Sequence, residues 1–283
     1  MDGSGEVSEF ALADGHTMPQ IQLGLYMMSR SEAHAAVTAG LAVGYRGFDC
    51  AQMYHNEKEA GAALCAAIDA GQVTRDDIFY TSKLAENNTS YNAVRASIRQ
   101  SVAACKLGYI DLFLLHSPYG GPAARWASWR AIEDAIRDGE VRSGGVSNFG
   151  PRHVDELMGH ADLRIKPVVN QIEAHPFNTR EDIRATCARH GIIVEAYAPL
   201  VRGMRMRHPV ITALSEKYKC TPAQLLVRWS LQHDLVPLPK SVRKVRMKEN
   251  ADVNEFEISS ADLVALDALD EHLVTDWDPT DTD

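Results

Sequence analysis

Two textures alternate along this chain. Short, mostly apolar runs recur eight times: IQLGLY (21–26), YRGFD (45–49), IFYTSK (78–83), DLFLLH (111–116), VRSGGVSN (141–148), PVVNQ (167–171), IIVEAY (192–197) and LVPLPKS (235–241). Between them lie helix-length segments such as SEAHAAVTAG, EKEAGAALCAAIDAG, SYNAVRASIRQSVAAC, RWASWRAIEDAIRDG and REDIRATCARHG. Ser31, Asn56 and Thr179 are expected to cap helix starts, and Gly40, Gly71, Gly139 and Gly191 to mark helix ends. Alternating strands and helices imply parallel strands joined by crossover helices, and eight such units over about 250 residues imply a closed barrel. The expected fold is a (β/α)8 TIM barrel.

The remaining segments read as additions to that barrel. Residues 8–20, SEFALADGHTMPQ, carry an Asp14-Gly15 turn between two extended runs, which is a hairpin signal. Residues 209–219 and 259–270 predict two extra helices, the second with a serine cap, and 271–283 form a short C-terminal tail. No linker, low-complexity tract or longer repeat interrupts the pattern, so residues 1–283 read as a single domain.

Composition narrows the partners. With 283 residues and 45% hydrophobic content, the chain can bury a sizeable core. A net charge of −9 argues against a general nucleic-acid role. Cys50, Cys65, Cys105, Cys187 and Cys220 are scattered and odd in number, which favours free thiols in a reducing compartment and gives no metal-ligand spacing. No apolar run is long enough to span a membrane, and MDGSGEVSEF lacks the basic start and apolar stretch of a secretory signal. A cytoplasmic location is expected.

Active sites of such barrels lie at the C-terminal ends of the strands. The polar residues there are Asp49, Lys83, His116, Ser147, Asn148, Gln171, Tyr197, Lys240 and Ser241, and Tyr54 can fold back over the mouth. A phenol with an ordinary pKa of about 10 is a poor proton donor to a nascent alkoxide unless a nearby cation stabilises its phenolate. Lys83 can supply that cation, Asp49 can hold Lys83 protonated, and His116 can orient a carbonyl oxygen. The set suits proton donation to a carbonyl as something else arrives at carbon.

The motif G-Y-R-x-x-D-x-A-x-x-Y-x-N-E at 44–57 is followed in order by TSKL, DLFLLHSP, GVSNF, VNQIEAHP, AYAPLVRG and PLPKSV…R…EN. In these residues the chain resembles the aldo-keto reductases, over roughly 8–260, with HSPYGG and the tryptophan-bearing segment after it closer to the microbial and fungal branch. The resemblance implies Tyr54 as general acid, Lys83 as its modulator, Asp49 as partner of Lys83, and His116 as the orienting group. It implies a nicotinamide stacked on Tyr197, its carboxamide held by Ser147, Asn148 and Gln171, with Gly24 and Leu200 also at the cofactor. Hydride would pass from the ring to the carbonyl carbon.

Charge bears on the cofactor as well. Five of the nine residues in KSVRKVRMK (240–248) are basic in an acidic chain, a cluster that could neutralise a phosphate monoester. In the family pattern Lys240, Ser241, Val242 and Arg246 surround the 2′-phosphate of NADPH, while Glu249 and Asn250 meet the adenine. NADPH is therefore expected rather than NADH. No G-x-G-x-x-G follows a strand, so no Rossmann domain is expected.

The substrate wall departs from familiar members. Ser117 stands where many relatives have tryptophan, and Ala85 where an aromatic is common. Tyr26, Met53 and Trp277 remain as expected lining residues. Small polar aldehydes, pentose-like sugars or α-keto compounds fit such a pocket better than steroids.

Simpler readings apply to other features. His175 reads as structural, and His16, His34 and His55 as solvated. Ser147 lacks the G-x-S-x-G elbow of a serine hydrolase. Two alternatives to an aldehyde-reductase-type enzyme stay open: a cofactor-holding, redox-sensing subunit with little turnover, and a barrel isomerase or aldolase using Lys83 as a Schiff-base amine. A monomer is the default.

Overall fold

The computed structural model describes residues 9–283; the first residue of the expected hairpin and most of the MDGSGEVSEF segment lie outside them. Strands β1 (Glu9–Ala11) and β2 (Thr17–Pro19) pair antiparallel as the expected hairpin. Eight parallel strands follow: β3 (Gln22–Gly24), β4 (Gly47–Asp49), β5 (Phe79–Leu84), β6 (Ile110–Leu115), β7 (Val141–Ser147), β8 (Val169–Glu173), β9 (Ile193–Tyr197) and β10 (Leu235–Pro237). They lie in sequence order from β3 to β10. The ring closes where Gly24 N–H donates to Pro239 O at 3.3 Å. Glycine eases that approach, because a Cβ on residue 24 would sit 3.2 Å from Leu238 O and push it back by a few tenths of an ångström.

All eight strands fall on the runs read from the sequence, most of them shorter at one or both ends. Five crossover helices surround the first part of the barrel: α1 (Arg30–Ala42), α2 (Glu57–Asp69), α3 (Tyr91–Cys105), α4 (Gly121–Arg137) and α5 (Pro151–Met158). The outer ring continues with α6 (Glu181–His190), α7 (Pro209–Tyr218), α8 (Pro222–Gln232), α9 (Lys244–Ala251) and α10 (Ser260–Asp267). Helices α7 and α10 are the two expected extras, and Ser259 caps α10 as expected. None of the described helices is long and apolar enough to cross a membrane.

Several caps differ from expectation, and the reasons are local. Ser29, not Ser31, caps α1 through a capping box with Glu32. Asn56 occupies the cap position of α2, yet its side chain turns inward to donate to Leu25 O and Met28 O and to accept from the Cys50 thiol. Thr179 lies one residue before Arg180, which takes the cap position of α6, and ties itself to Asp270 instead. Gly40 is packed inside α1 against Leu23 and Phe48, and the chain turns later, at Gly44 with φ +104°. Gly71, Gly139 and Gly191 follow their helices with positive φ, as read.

Two apolar regions hold the fold. Between strands and helices lies the larger one, with Phe48, Phe113, Trp129 and Trp229 fully buried. The barrel interior holds a smaller one, including Leu112, Leu114, Val169 and Val236, and the hairpin plugs its lower end with Leu12 and Met18. At its upper end the interior becomes polar, and the site begins there.

Candidate active site

Asp49 ends β4 and Lys83 sits one residue from the end of β5, so both project at the C-terminal rim, and a short 3-10 turn (Gln52–Tyr54) brings Tyr54 back over them. Lys83 is fully buried. Its Nζ donates to Asp49 Oδ1 (2.7 Å) and Oδ2 (2.8 Å), to Cys50 O (2.9 Å) and to the Tyr54 hydroxyl (3.1 Å). Because the Tyr54 oxygen accepts from Lys83, its own O–H is left to donate elsewhere. His116 follows β6 with its ring centroid 5.9 Å from that of Tyr54. Asp49, Tyr54 and His116 line one cavity of about 680 Å3, and Lys83 lies directly beneath them.

Burial first, and the Asp49 carboxylate second, push the Tyr54 phenol well above 10. Asp49 takes Lys83 in a bidentate pair, so the tyrosine faces a nearly neutral couple in a poorly solvated place. Tyr54 therefore carries its proton at every physiological pH. His116 is pushed down to about 3, by burial first and by Lys83 second, so its imidazole is neutral, and its Nδ1 is buried without a partner.

The same cavity gathers most of the expected cofactor residues. Gly24, Ser147, Asn148, Gln171, Tyr197, Leu200, Lys240 and Arg246 line it. Tyr197 donates its hydroxyl to Asn148 Oδ1 at 2.8 Å, which fixes the ring, and Asn148 in turn donates to His116 O at 3.0 Å. Gln171 Nε2 donates to Asp49 Oδ1 (2.9 Å) and to Glu195 Oε2 (2.7 Å), leaving only its carbonyl oxygen for a bound amide. Four expected residues lie off the lining. Ser241 uses its hydroxyl on the backbone of Arg243, Asn250 is buried in α9, and Val242 and Glu249 stand beyond the cavity wall.

Of the expected substrate residues, Tyr26, Met53 and Trp277 line the cavity. Ser117 is buried and stays off the lining, with its carbonyl accepting from Asn87. The sequence reading missed Arg202, Thr275 and Asp276, which also line the cavity. Arg202 pairs with Asp276 at 3.3 Å, and Thr275 is anchored on buried Glu173. Arg202 stood in the quoted AYAPLVRG motif; the tail residues had no local signal beyond their neighbour Trp277. His175 is buried on Glu173, matching the structural reading, while His16, His34 and His55 are exposed. All five cysteines are free, and the described residues contain no metal-type cluster.

A barrel whose C-terminal mouth joins a buried Lys-Asp pair, a phenol and a neutral imidazole to a cleft ending in cations defines a class of barrel oxidoreductase. Residues 20–271 match the Aldo/keto reductase family. The chain is 44% identical over 268 residues to an uncharacterised oxidoreductase of Schizosaccharomyces pombe, covering 95% of this chain and 96% of that one. It is 38% identical over 259 residues to the glyoxal reductase of Bacillus subtilis, covering 91% of each. The crystal structure of a Bombyx mori aldo-keto reductase in complex with NADP superposes with a TM-score of 0.89 at 32% identity, covering 97% of this chain and 98% of that one. The chain belongs to the aldo-keto reductase family.

Proposed function

We propose that this protein reduces small polar aldehydes and ketones to alcohols with NADPH, using Tyr54 as the proton donor. The observation that carries the reading is the Tyr54 hydroxyl held 3.1 Å from Lys83 at the wall of a cavity that also reaches Lys240 and Arg246. The cavity fits a dinucleotide on chemical grounds: a fixed aromatic face at Tyr197, an amide carbonyl at Gln171, and two cations for a phosphate. NADPH would supply the hydride when bound. Gln171, Asn148 and Ser147 would hold its amide end, and Lys240 with Arg246 its 2′-phosphate.

The protein's own residues account for the proton. Tyr54 enters the reaction protonated, because burial disfavours the phenolate. As negative charge grows on the carbonyl oxygen, the phenol donates, and Lys83 stabilises the oxygen left behind through the hydrogen bond it already makes. Neutral His116 can donate one ring N–H to the same carbonyl oxygen and orient it. Tyr26, Met53 and Trp277 bound a pocket with room for a short substrate, and the similarity to the Bacillus subtilis glyoxal reductase makes glyoxal the first substrate to try.

The test is NADPH oxidation with a panel of glyoxal, short aldehydes, aldoses and α-keto esters. Tyr54→Phe should lose roughly 10²- to 10⁴-fold in kcat while binding NADPH normally. A variant that kept most of its activity would remove Tyr54 from the acid role.

A further inference from the structure

Beneath the Asp49–Lys83 pair the barrel interior holds a carboxyl group that the reaction chemistry above does not use. Glu195 points inward from the middle of β9 and is fully buried. Its Oε1 accepts from Gln22 Nε2 at 2.8 Å, and its Oε2 accepts from Gln171 Nε2 at 2.7 Å. The same Gln171 nitrogen donates to Asp49 Oδ1 at 2.9 Å, so one amide ties the buried carboxyl to the carboxylate that holds Lys83. We propose that Glu195 is a positioning residue that acts through Gln171 on the Asp49–Lys83 pair, and that its protonation sets the charge beneath Tyr54.

Three observations support a titrating role. The barrel makes room for this arrangement: a Cβ on Gly47 would lie 2.4 Å from Gln22 Cγ, so glycine there lets Gln22 reach Glu195. Gln22 Oε1 is buried without a partner. Rotating that amide would present its carbonyl to a protonated Glu195 without breaking any other hydrogen bond, so the site accommodates both forms. Finally, burial first and the Asp49 charge second raise the Glu195 carboxyl to about 7. The charged groups facing it are Asp49 from β4 and Lys83 from β5; β3 and β8 present the uncharged Gln22 and Gln171, and β10 presents Val236.

The direction of the effect follows from charge. With Glu195 protonated, the buried group carries one negative and one positive charge. Ionisation leaves it with a net negative charge, which makes the Tyr54 proton harder to give up. Resting on the reductase reading, single-turnover carbonyl reduction should fall about tenfold between about pH 6 and about pH 8.5. Glu195→Gln should cut that fall to less than twofold. Gln22→Met, which removes a hydrogen bond favouring the ionised form, should move the wild-type inflection to higher pH. A Glu195→Gln profile parallel to wild type overturns the proposal.

The titration can also be read without cofactor or turnover. An acid raised from its ordinary 4.5 to about 7 keeps its proton in the folded state while the unfolded chain has lost it, so stability falls as pH rises across that window and levels off above it. The melting temperature of wild type should therefore drop more from about pH 5 to about pH 7.5 than that of Glu195→Gln. A difference between the two proteins that does not change with pH overturns the proposal, whether or not the chain reduces any aldehyde. Absence of aldehyde reduction alongside the predicted melting behaviour instead rejects the reductase reading and leaves the Glu195 titration supported.

Discussion

The imidazole of His116 is held at about 3, by burial first and by Lys83 second, so it gains no charge on the acid side of neutrality. Its ring proton resonances should stay fixed from about pH 5 to about pH 8; a shift centred near 6.5 would show that the ring is better solvated than its packing against Tyr54 and Trp277 indicates. The residue types of this site were legible in the sequence because each ends or follows a strand, and barrel topology sends strand ends to one rim. Their electrostatics were not legible. Whether Lys83 acidifies Tyr54 depends on how completely Asp49 neutralises it, and that is set by the two oxygens at 2.7 and 2.8 Å. Glu195 stood in plain view as the one charged residue of IIVEAY. Only the barrel shows that it faces inward, next to Asp49.

Helix α9 carries four of the five basic residues of the 240–248 cluster, with its cap residue Arg243 included, and the fifth, Lys240, precedes it. Arg246 and Lys240 reach the cavity, whereas Arg243, Lys244 and Lys248 face solvent. Replacing Arg246 by Ala should therefore weaken NADPH binding by roughly 10- to 100-fold and NADH binding far less, as measured by fluorescence titration with each cofactor. Equal weakening of both would place the 2′-phosphate elsewhere. At this scale the sequence located every strand and both extra helices, because their apolar runs are bounded by turn residues. Caps were read less well. Ser29 and Ser31 are both suitable cap residues, and the choice falls to Ser29 because Glu32 stands three residues after it. Asn56 was drawn from capping into the interior by two carbonyls that belong to a different part of the chain.

Across the whole molecule, the C-terminal tail completes the site. Thr275 is fixed on Glu173, Asp276 pairs with Arg202, and Asp278 pairs with Arg180, which together hold Trp277 over the mouth 6.1 Å from His116 and 5.7 Å from Tyr119. In the proposed reading Trp277 closes the substrate side, while Arg246 and Lys240 lie toward the cofactor side. Trp277→Ala should raise KM for a small aldehyde severalfold and change NADPH affinity little, a split that steady-state kinetics with both ligands varied would reveal. Loss of cofactor affinity on the same scale would mean that the tail clamps the dinucleotide.

By itself the sequence determined the alternation of strands and helices, the barrel it closes into, and which polar side chains end the strands. These follow from local periodicity and from the one-sided geometry of parallel βα units. The tertiary structure decided what those side chains do to one another. Pairing Lys83 with Asp49, linking Asp49 through Gln171 to Glu195, and bringing Trp277 back over His116 join residues far apart in the chain, and the strength of each contact depends on distances and burial that no stretch of sequence contains.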